Sequence, residues 1–326
     1  MSFSKDVKEE LSLQHGESRH CSLAELAAIL SFGGTIITTG KGYCLKLQTE
    51  SLVVARKYFT LIRKTFNISI DISVRCNSHG KENRNFTLII SDPDTVVRIL
   101  QAAKLPYENL SDGEIGRASQ LIVQNACCKR AFIRGAFLTS GSMSNPKKSY
   151  HLEIVVNDSE KAEQLKCMIQ SFSIDAKIVT RKKSHVVYIK EGSQIVDLLN
   201  VMEAHVALMD LENVRILKEM RNQVNRQVNC EAANINKTVV AASKQIEDII
   251  FIKDNVGFGD LAEGLEDIAE LRIQYPDASL KELGAMLTPP IGKSGVNHRL
   301  RKLSMIAEGI REHKEESSYD NEGNSN

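Results

Sequence analysis

The stretch Cys127–Pro146, CCKRAFIRGAFLTSGSMSNP, decides the fold. It reads as a helix crowded with small residues that stops at Gly141. Ala131, Gly135, Ala136 and Thr139 form one strip along it. A glycine inside a helix costs roughly 1 kcal/mol relative to alanine, so Gly135 implies that another backbone passes close by. A second helix of the same kind, SLAELAAILSFGGT at 22–35, carries Ala24, Ala27, Ala28 and Ser31 at i, i+3, i+4 and i+7. Two such strips predict helix packed on helix at a pseudo-twofold axis.

The remainder of residues 22–202 repeats in the same way. YCLKLQTES (43–51) and YHLEIVVND (150–158) lie 107 positions apart, as do Gly34 and Gly141. Leu45 and Leu47 match Leu152 and Ile154 in alternating strands. Helices at 51–66 and 158–172 follow, then ISIDISVR (68–75) against IDAKIVTR (174–181), then NFTLIIS against SHVVYIK. Each half closes on a helix, TVVRILQA or QIVDLLNV. The offset shrinks toward 100 because CNSHGKENRN makes one loop longer in the first half. Both halves therefore read helix–strand–strand–helix–strand–strand–helix, an α+β unit whose two sheets join side by side under one layer of helices.

The composition is that of an ordinary globular protein, with a net charge of +1 over 326 residues, so a charged partner must be read from local patches. Seven cysteines without CxxC spacing argue against a zinc ribbon or a disulfide scaffold and for a reducing cytoplasm. No metal and no cofactor is expected. The start, MSFSKDVKEELS, has no apolar signal core, and no apolar run approaches the ~20 residues a membrane span requires.

Two helices that each end in glycine before a strand, LAAILSFGG (26–34) and IRGAFLTSG (133–141), resemble the LAGLIDADG homing-endonuclease fold over roughly 22–202. In the nucleases of that family the residue before the final glycine is an acid in both helices, and the pair holds divalent ions. Here those positions are Gly33 and Ser140, and no Asp or Glu lies between Glu25 and Glu50 or between Glu114 and Glu153. The resemblance thus implies a dismantled nuclease site with no catalytic residues. Restoring it with Gly33→Asp and Ser140→Asp fits the family geometry on paper, without activity expected in the absence of a supporting shell. The second stretch is instead basic: Lys129, Arg130, Arg134, Lys147 and Lys148 are candidate accessory phosphate contacts. Alternation puts Lys46, Arg75, Lys177, Arg181 and Lys190 on the open sheet face with Asp71, Glu153 and Asp175, a weak field for a duplex.

Residues 203–230 contain no Pro or Gly and read as a helical linker, broken near Asn222–Asn225 because asparagine favours caps and turns. Helices then follow at 237–253, 260–273, 279–287 and 293–310. Ser279 and Glu282 form a capping box. TPPIG breaks the chain, and Val296, Leu300, Leu303, Ala307 and Ile310 space the buried stripe of the last helix. Two helices around a short turn, the second basic, are the layout of a helix-turn-helix over 279–310. Opposite Val296 lie Ser294, Asn297, His298 and Arg301, types that hydrogen-bond base edges. Lys293, Arg299 and Lys302 flank them and suit phosphates. Between 271 and 303 six Lys/Arg face two Asp/Glu, whereas the tail 312–326 carries five acids against one lysine and reads as disordered.

PPIGKSGVNHRLRKL, NRQVNCEAANINKTVVAA and CCKRAFIRGAFL together resemble the WhiA family over essentially the whole chain. The resemblance implies a duplicated LAGLIDADG-like domain followed by an all-α helix-turn-helix domain similar to the promoter-reading domain of sigma factors. It also implies a non-catalytic, sequence-specific transcriptional regulator of double-stranded promoter DNA, with effects on cell division, chromosome segregation and, in sporulating bacteria, sporulation. RNA polymerase or another regulatory protein is a candidate partner, no membrane is involved, and the expected location is cytoplasmic and nucleoid-associated. The rival functions are an RNA-binding, maturase-like cofactor and a metal-dependent endonuclease. The expected domains are an N-terminal helical segment (1–21), two halves (22–115 and 116–202), the linker (203–230), the helix-turn-helix domain (231–311) and the tail (312–326).

Overall fold

A computed structural model describes residues 2–16, 18–40, 42–68, 70–76, 84–106, 112–259 and 261–322. The chain divides into two compact units, Met1–Glu219 and Met220–Asn326.

Unit 1 opens on α1 (Phe3–Leu13) and then carries the repeat. The first half runs α2 (Arg19–Gly33), β1 (Gly34–Thr39), β2 (Gly42–Thr49), α3 (Leu52–Phe66), β3 (Asp71–Cys76), β4 (Arg84–Ile90) and α4 (Pro93–Ala102). After β5 (Gly113–Glu114) and a 3-10 turn, the second half runs α5 (Ala126–Ser140), β6 (Gly141–Met143), β7 (Leu152–Val156), α6 (Ser159–Gln170), β8 (Lys177–Arg181), β9 (Ser184–Ile189) and α7 (Gly192–Met202). The element order matches in the two halves, as the sequence repeat requires. Side chains start several of these helices: Ser51, Asp92 and Asp158 each accept a hydrogen bond from a backbone N–H of the first turn. The loop difference also holds. β8 and β9 are separated by two residues, whereas β3 and β4 are separated by positions 77–83, which lie outside the described residues.

Among the described residues each half keeps its own antiparallel sheet, ordered β3-β4-β2-β1-β5 and β6-β7-β9-β8, with no ladder joining them. The physical reason is at the edges. β5 pairs with β1 through Thr35 and Ile36 and so occupies the outer edge of that strand. β6, the edge strand of the second sheet, is only three residues long.

What joins the halves is the helix pair. α2 and α5 run side by side, and a Cβ on Gly135 would lie 2.5 Å from the Glu25 carbonyl oxygen and 3.0 Å from Ala28 Cβ. Backbone contact of that kind accounts for the glycine. The two helices are buried over most of their length, from Ala24 to Ser31 and from Ala131 to Leu138.

The same interface hides a charged group. Glu25 is fully buried, 3.1 Å from Lys57 Nζ on α3 and 3.3 Å from Arg134 Nε on α5. Arg134 reaches on to Glu203 at 2.6 Å, and Lys57 donates to the Gln14 carbonyl. Desolvation pulls the Lys57 ammonium below its ordinary range, and the Glu25 carboxylate opposes that shift. The two carboxylates outweigh desolvation at Arg134 and raise its guanidinium.

α8 (His205–Asn255) is one unbroken helix that crosses the boundary between the units. The break expected near Asn222–Asn225 is absent. With no Pro or Gly in the span, the asparagines cost only fractions of a kcal/mol each, and helix persists. For the same reason the separate helix expected at 237–253 is the last part of α8.

Unit 2 packs the end of α8 against α9 (Leu265–Gln274), α10 (Leu280–Met286) and α11 (Lys293–Glu322). Its core includes Ile249, Ile252, Ile268, Leu283, Val296, Leu300, Leu303 and Ala307. The Ser279/Glu282 capping box is formed in both directions. Arg272, counted above among the basic residues, is buried: its guanidinium donates to Gln245 Oε1 at 3.0 and 3.1 Å and to the Ala278 carbonyl at 2.7 Å. α11 runs twelve residues past the expected end at 310, so 312–322 of the tail are helical rather than disordered; 323–326 lie outside the described residues. Nothing in 312–322 stops a helix before Gly323. Among the described residues no helix is long and apolar enough to cross a membrane.

Candidate nucleic-acid interface

The C-terminal ends of α2 and α5 carry Gly33 and Ser140, not acids. A Cβ at Gly33 would stand 2.5 Å from Thr139 Cγ2. Thr139 has little room to turn, because its hydroxyl donates to the Gly135 carbonyl at 2.8 Å and accepts from Tyr58 Oη at 2.9 Å. Ser140 Oγ folds back on its own helix, toward the Ala136 carbonyl at 3.4 Å. Lys161 donates to the Ser31 carbonyl at 2.8 Å, which sets a cation in the last turn of α2. Gly33→Asp therefore requires Thr139 to move.

The basic stretch does not form one patch. Arg134 is 3 % exposed and held by Glu25 and Glu203, so it is not a phosphate contact. Lys129 donates to Ser171 Oγ at 3.3 Å, and the Arg130 guanidinium lies 5.5 Å from the centre of the Phe172 ring. Lys147 and Lys148 are exposed, but they follow β6, beyond the far end of α5 from Lys129 and Arg130.

The open face of the second sheet is likewise neutralised from within. Glu153 accepts from Arg181 at 3.1 Å and from Ser142 at 3.3 Å, and lies 3.1 Å from His151 Nε2. Lys177 pairs with Asp175 at 3.3 Å, and Lys190 lies 5.2 Å from the centre of the Tyr188 ring. On the first sheet Lys46 is half-buried, in register with Thr35 and Ile89, and Asp71 pairs with Ile89. The side chain of Arg75 lies outside those described.

In unit 2 the geometry is different. Val296, Leu300 and Leu303 fix α11 in the core by one face. That leaves Lys293, Ser294, His298, Arg301 and Lys302 exposed and Asn297 half-buried at its start. The turn before α11 is tight: Ile291 N–H donates to the Gly284 carbonyl at 3.0 Å, and a Cβ on Gly284 would collide with the Ile291 carbonyl. This seats α10 against α11, as a helix-turn-helix demands. Arg299 departs from its expected role. It is half-buried and donates to the Gly264 carbonyl at 3.0 Å, at the start of α9, so its guanidinium braces the unit instead of flanking the exposed face.

Fold and surface together define a class: a duplicated LAGLIDADG-like α+β domain followed by a helical domain with a helix-turn-helix. Three family models match the chain, the WhiA N-terminal LAGLIDADG-like domain at residues 19–105, the WhiA LAGLIDADG-like domain at 129–221 and the WhiA C-terminal HTH domain at 224–307. The chain is 62 % identical over 313 residues to a probable cell division protein WhiA of Lachnoclostridium phytofermentans, covering 96 % of this chain and all of that one. It is 49 % identical to another of that name from Alkaliphilus oremlandii, with 96 % and 99 % covered. The chain belongs to the WhiA family. In fold it is similar to the crystal structure of full-length DUF199/WhiA from Thermatoga maritima, with a TM-score of 0.57, 24 % identity, and 94 % and 98 % of the two chains covered.

Proposed function

We propose that the protein is a non-catalytic regulator that binds promoter DNA in a sequence-dependent way through α11. The supporting observation is the start of that helix, where Ser294, His298 and Arg301 stand exposed between Lys293 and Lys302 on a helix locked into its core from behind. Arg forks suit guanine edges and Asn suits adenine, while lysines suit phosphates. The domain limits of this proposal are 22–115 and 116–202 for the two halves and 231–311 for the DNA-binding part. Unit 1 serves as a scaffold or as a surface for a regulatory partner such as RNA polymerase. The names of the relatives support a role in cell division. Transcription control, chromosome segregation and sporulation extend that role, in a cytoplasmic, nucleoid-associated protein.

Arg301 and Lys302 separate base reading from charge. Arg301→Ala is expected to narrow the gap between target and scrambled duplex by about 1–3 kcal/mol. Lys302→Ala is expected to weaken both duplexes alike and to reduce the slope of log affinity against log salt by about 1. Binding isotherms at several salt concentrations read both effects. Equal loss on both duplexes for Arg301→Ala would move base reading to Ser294, Asn297 and His298.

The endonuclease alternative has its own assay. Supercoiled plasmid incubated with the purified protein and Mg²⁺ or Mn²⁺ is expected to stay uncut, because Gly33 and Ser140 offer no carboxylate. Cleavage that copurifies with the protein would reverse this. Tighter binding of structured RNA than of duplex DNA would favour the maturase-like reading instead.

A further inference from the structure

The other end of the α2–α5 pair gathers a different set of side chains. α2 begins at Arg19, three residues before the start expected from sequence, so His20 and Cys21 occupy its first turn. α5 begins at Ala126, so Cys127 and Cys128 occupy the equivalent places. The cap positions Ser18 and Asn125, and the two pairs behind them, are related by the same 107-residue offset as the repeat. Pairing the helices therefore brings the four together, although no stretch of sequence holds them side by side.

One ligand-type atom from each residue lies within 4.8 Å of the others. His20 Nδ1 is 3.2 Å from Cys128 Sγ and 3.4 Å from Cys21 Sγ. Zinc bonds of about 2.3 Å to sulfur and 2.0–2.1 Å to nitrogen set ligand–ligand edges of roughly 3.5–3.8 Å in a tetrahedron. The separations in the cluster, from 3.2 Å to no more than 4.8 Å, bracket those edges. Cys128 is buried, while His20 and Cys127 are exposed, which leaves a path for an ion to enter.

We infer that His20, Cys21, Cys127 and Cys128 form a structural Zn²⁺ site that clips the two halves together at the start of the helix pair. Three thiolates and a neutral imidazole around Zn²⁺ leave a net charge of −1. Two helix N-termini, each a positive dipole end, face that charge. Without metal the three cysteines are free thiols gathered around one imidazole. Zinc replaces those thiol protons with bonds, releasing one proton from each cysteine. A disulfide would engage only two of the four groups and give the imidazole no role.

The test uses the full chain, kept reduced, stripped of metal with a chelator and titrated with Zn²⁺ against a chromophoric competitor. One Zn²⁺ per chain is expected, with a rise in the melting temperature. Co²⁺ in its place is expected to give the intense d–d bands of a tetrahedral thiolate site. His20→Ala and Cys127→Ala change exposed residues that the core does not need, and each is expected to weaken Zn²⁺ binding by roughly tenfold or more. Cys167→Ser and Cys230→Ser, both exposed and outside the cluster, are expected to bind as the parent does. The site is overturned if the reduced parent binds no Zn²⁺, if His20→Ala with Cys127→Ala binds it undiminished, or if the cobalt spectrum is octahedral. It is also overturned if thiol counting finds Cys21 and Cys128 joined as a disulfide in the protein as purified from reducing conditions.

Discussion

Glu25→Ala is expected to remove about 3–5 kcal/mol from the stability of unit 1, because it strips a buried carboxylate from between two buried cations. Arg134 retains Glu203, whereas Lys57, among the described residues, keeps only the Gln14 carbonyl. Denaturant unfolding of the full chain would show the loss in the unit 1 transition, and a loss below about 1 kcal/mol would mean that water reaches the group. The pH dependence gives a second readout. Desolvation already lowers the folded Lys57 below the 10.5 of an unperturbed lysine. Below the folded pKa both states carry the proton, so the cost of burying the charge is fully present. Between the folded pKa and 10.5 only the unfolded chain binds the proton, so stability rises with pH through that window. Glu25→Ala removes the group that holds Lys57 up. It therefore widens the window toward lower pH and steepens the recovery. Replacing Glu25, Lys57 and Arg134 together with apolar residues of similar volume is expected to cost far less than the single change.

Gly284→Val is expected to cost ~3 kcal/mol in unit 2 and to abolish specific DNA binding while leaving the unit 1 transition in place. The added Cβ meets the Ile291 carbonyl and crowds Val296 Cγ2, 3.0 Å away, and neither is the free end of a flexible chain. The turn that seats α11 must open, and the exposed row from Lys293 to Lys302 loses its support. Two-transition melting together with duplex titration reads both effects. Full affinity with a displaced turn would show that α11 binds DNA without its partner helix.

Much of this architecture is legible in the sequence, for identifiable reasons. The small residues at Ala24, Ala28, Gly135 and Thr139 and the common offset expose the helix pair, because backbone contact tolerates few residue types. The Ser279/Glu282 box marks α10, because a cap is a local device. Other features are hidden. Glu25 in LAELAA and Arg134 in FIRGAF look like residues of any solvated helix. Only the packing of α2, α3 and α5 turns them inward, so Arg134 reads as a phosphate contact when it is a buried ion pair. Arg299 differs from Arg301 by two positions, half a turn of helix, and only the location of Gly264 assigns it to a carbonyl rather than to the exposed face. The asparagines of α8 suggest a break that the absence of Pro and Gly does not permit. The separate sheets follow from the placing of β5, two residues without a pattern of their own.

The helix pair also fixes a timetable. Ala28 and Gly135 touch across 107 positions of chain, so the central contact of unit 1 joins segments about half the unit's length apart. At typical synthesis rates of 5–20 residues per second, the face formed by Ala24, Ala27 and Ala28 leaves the ribosome about 5–20 s before its partner exists. In that interval the first half can form its sheet, whose strands are close in sequence, but must leave the α2 face uncovered. A nascent chain stalled before Cys127 is therefore the species most open to chaperone capture, and completion of α5 closes the unit.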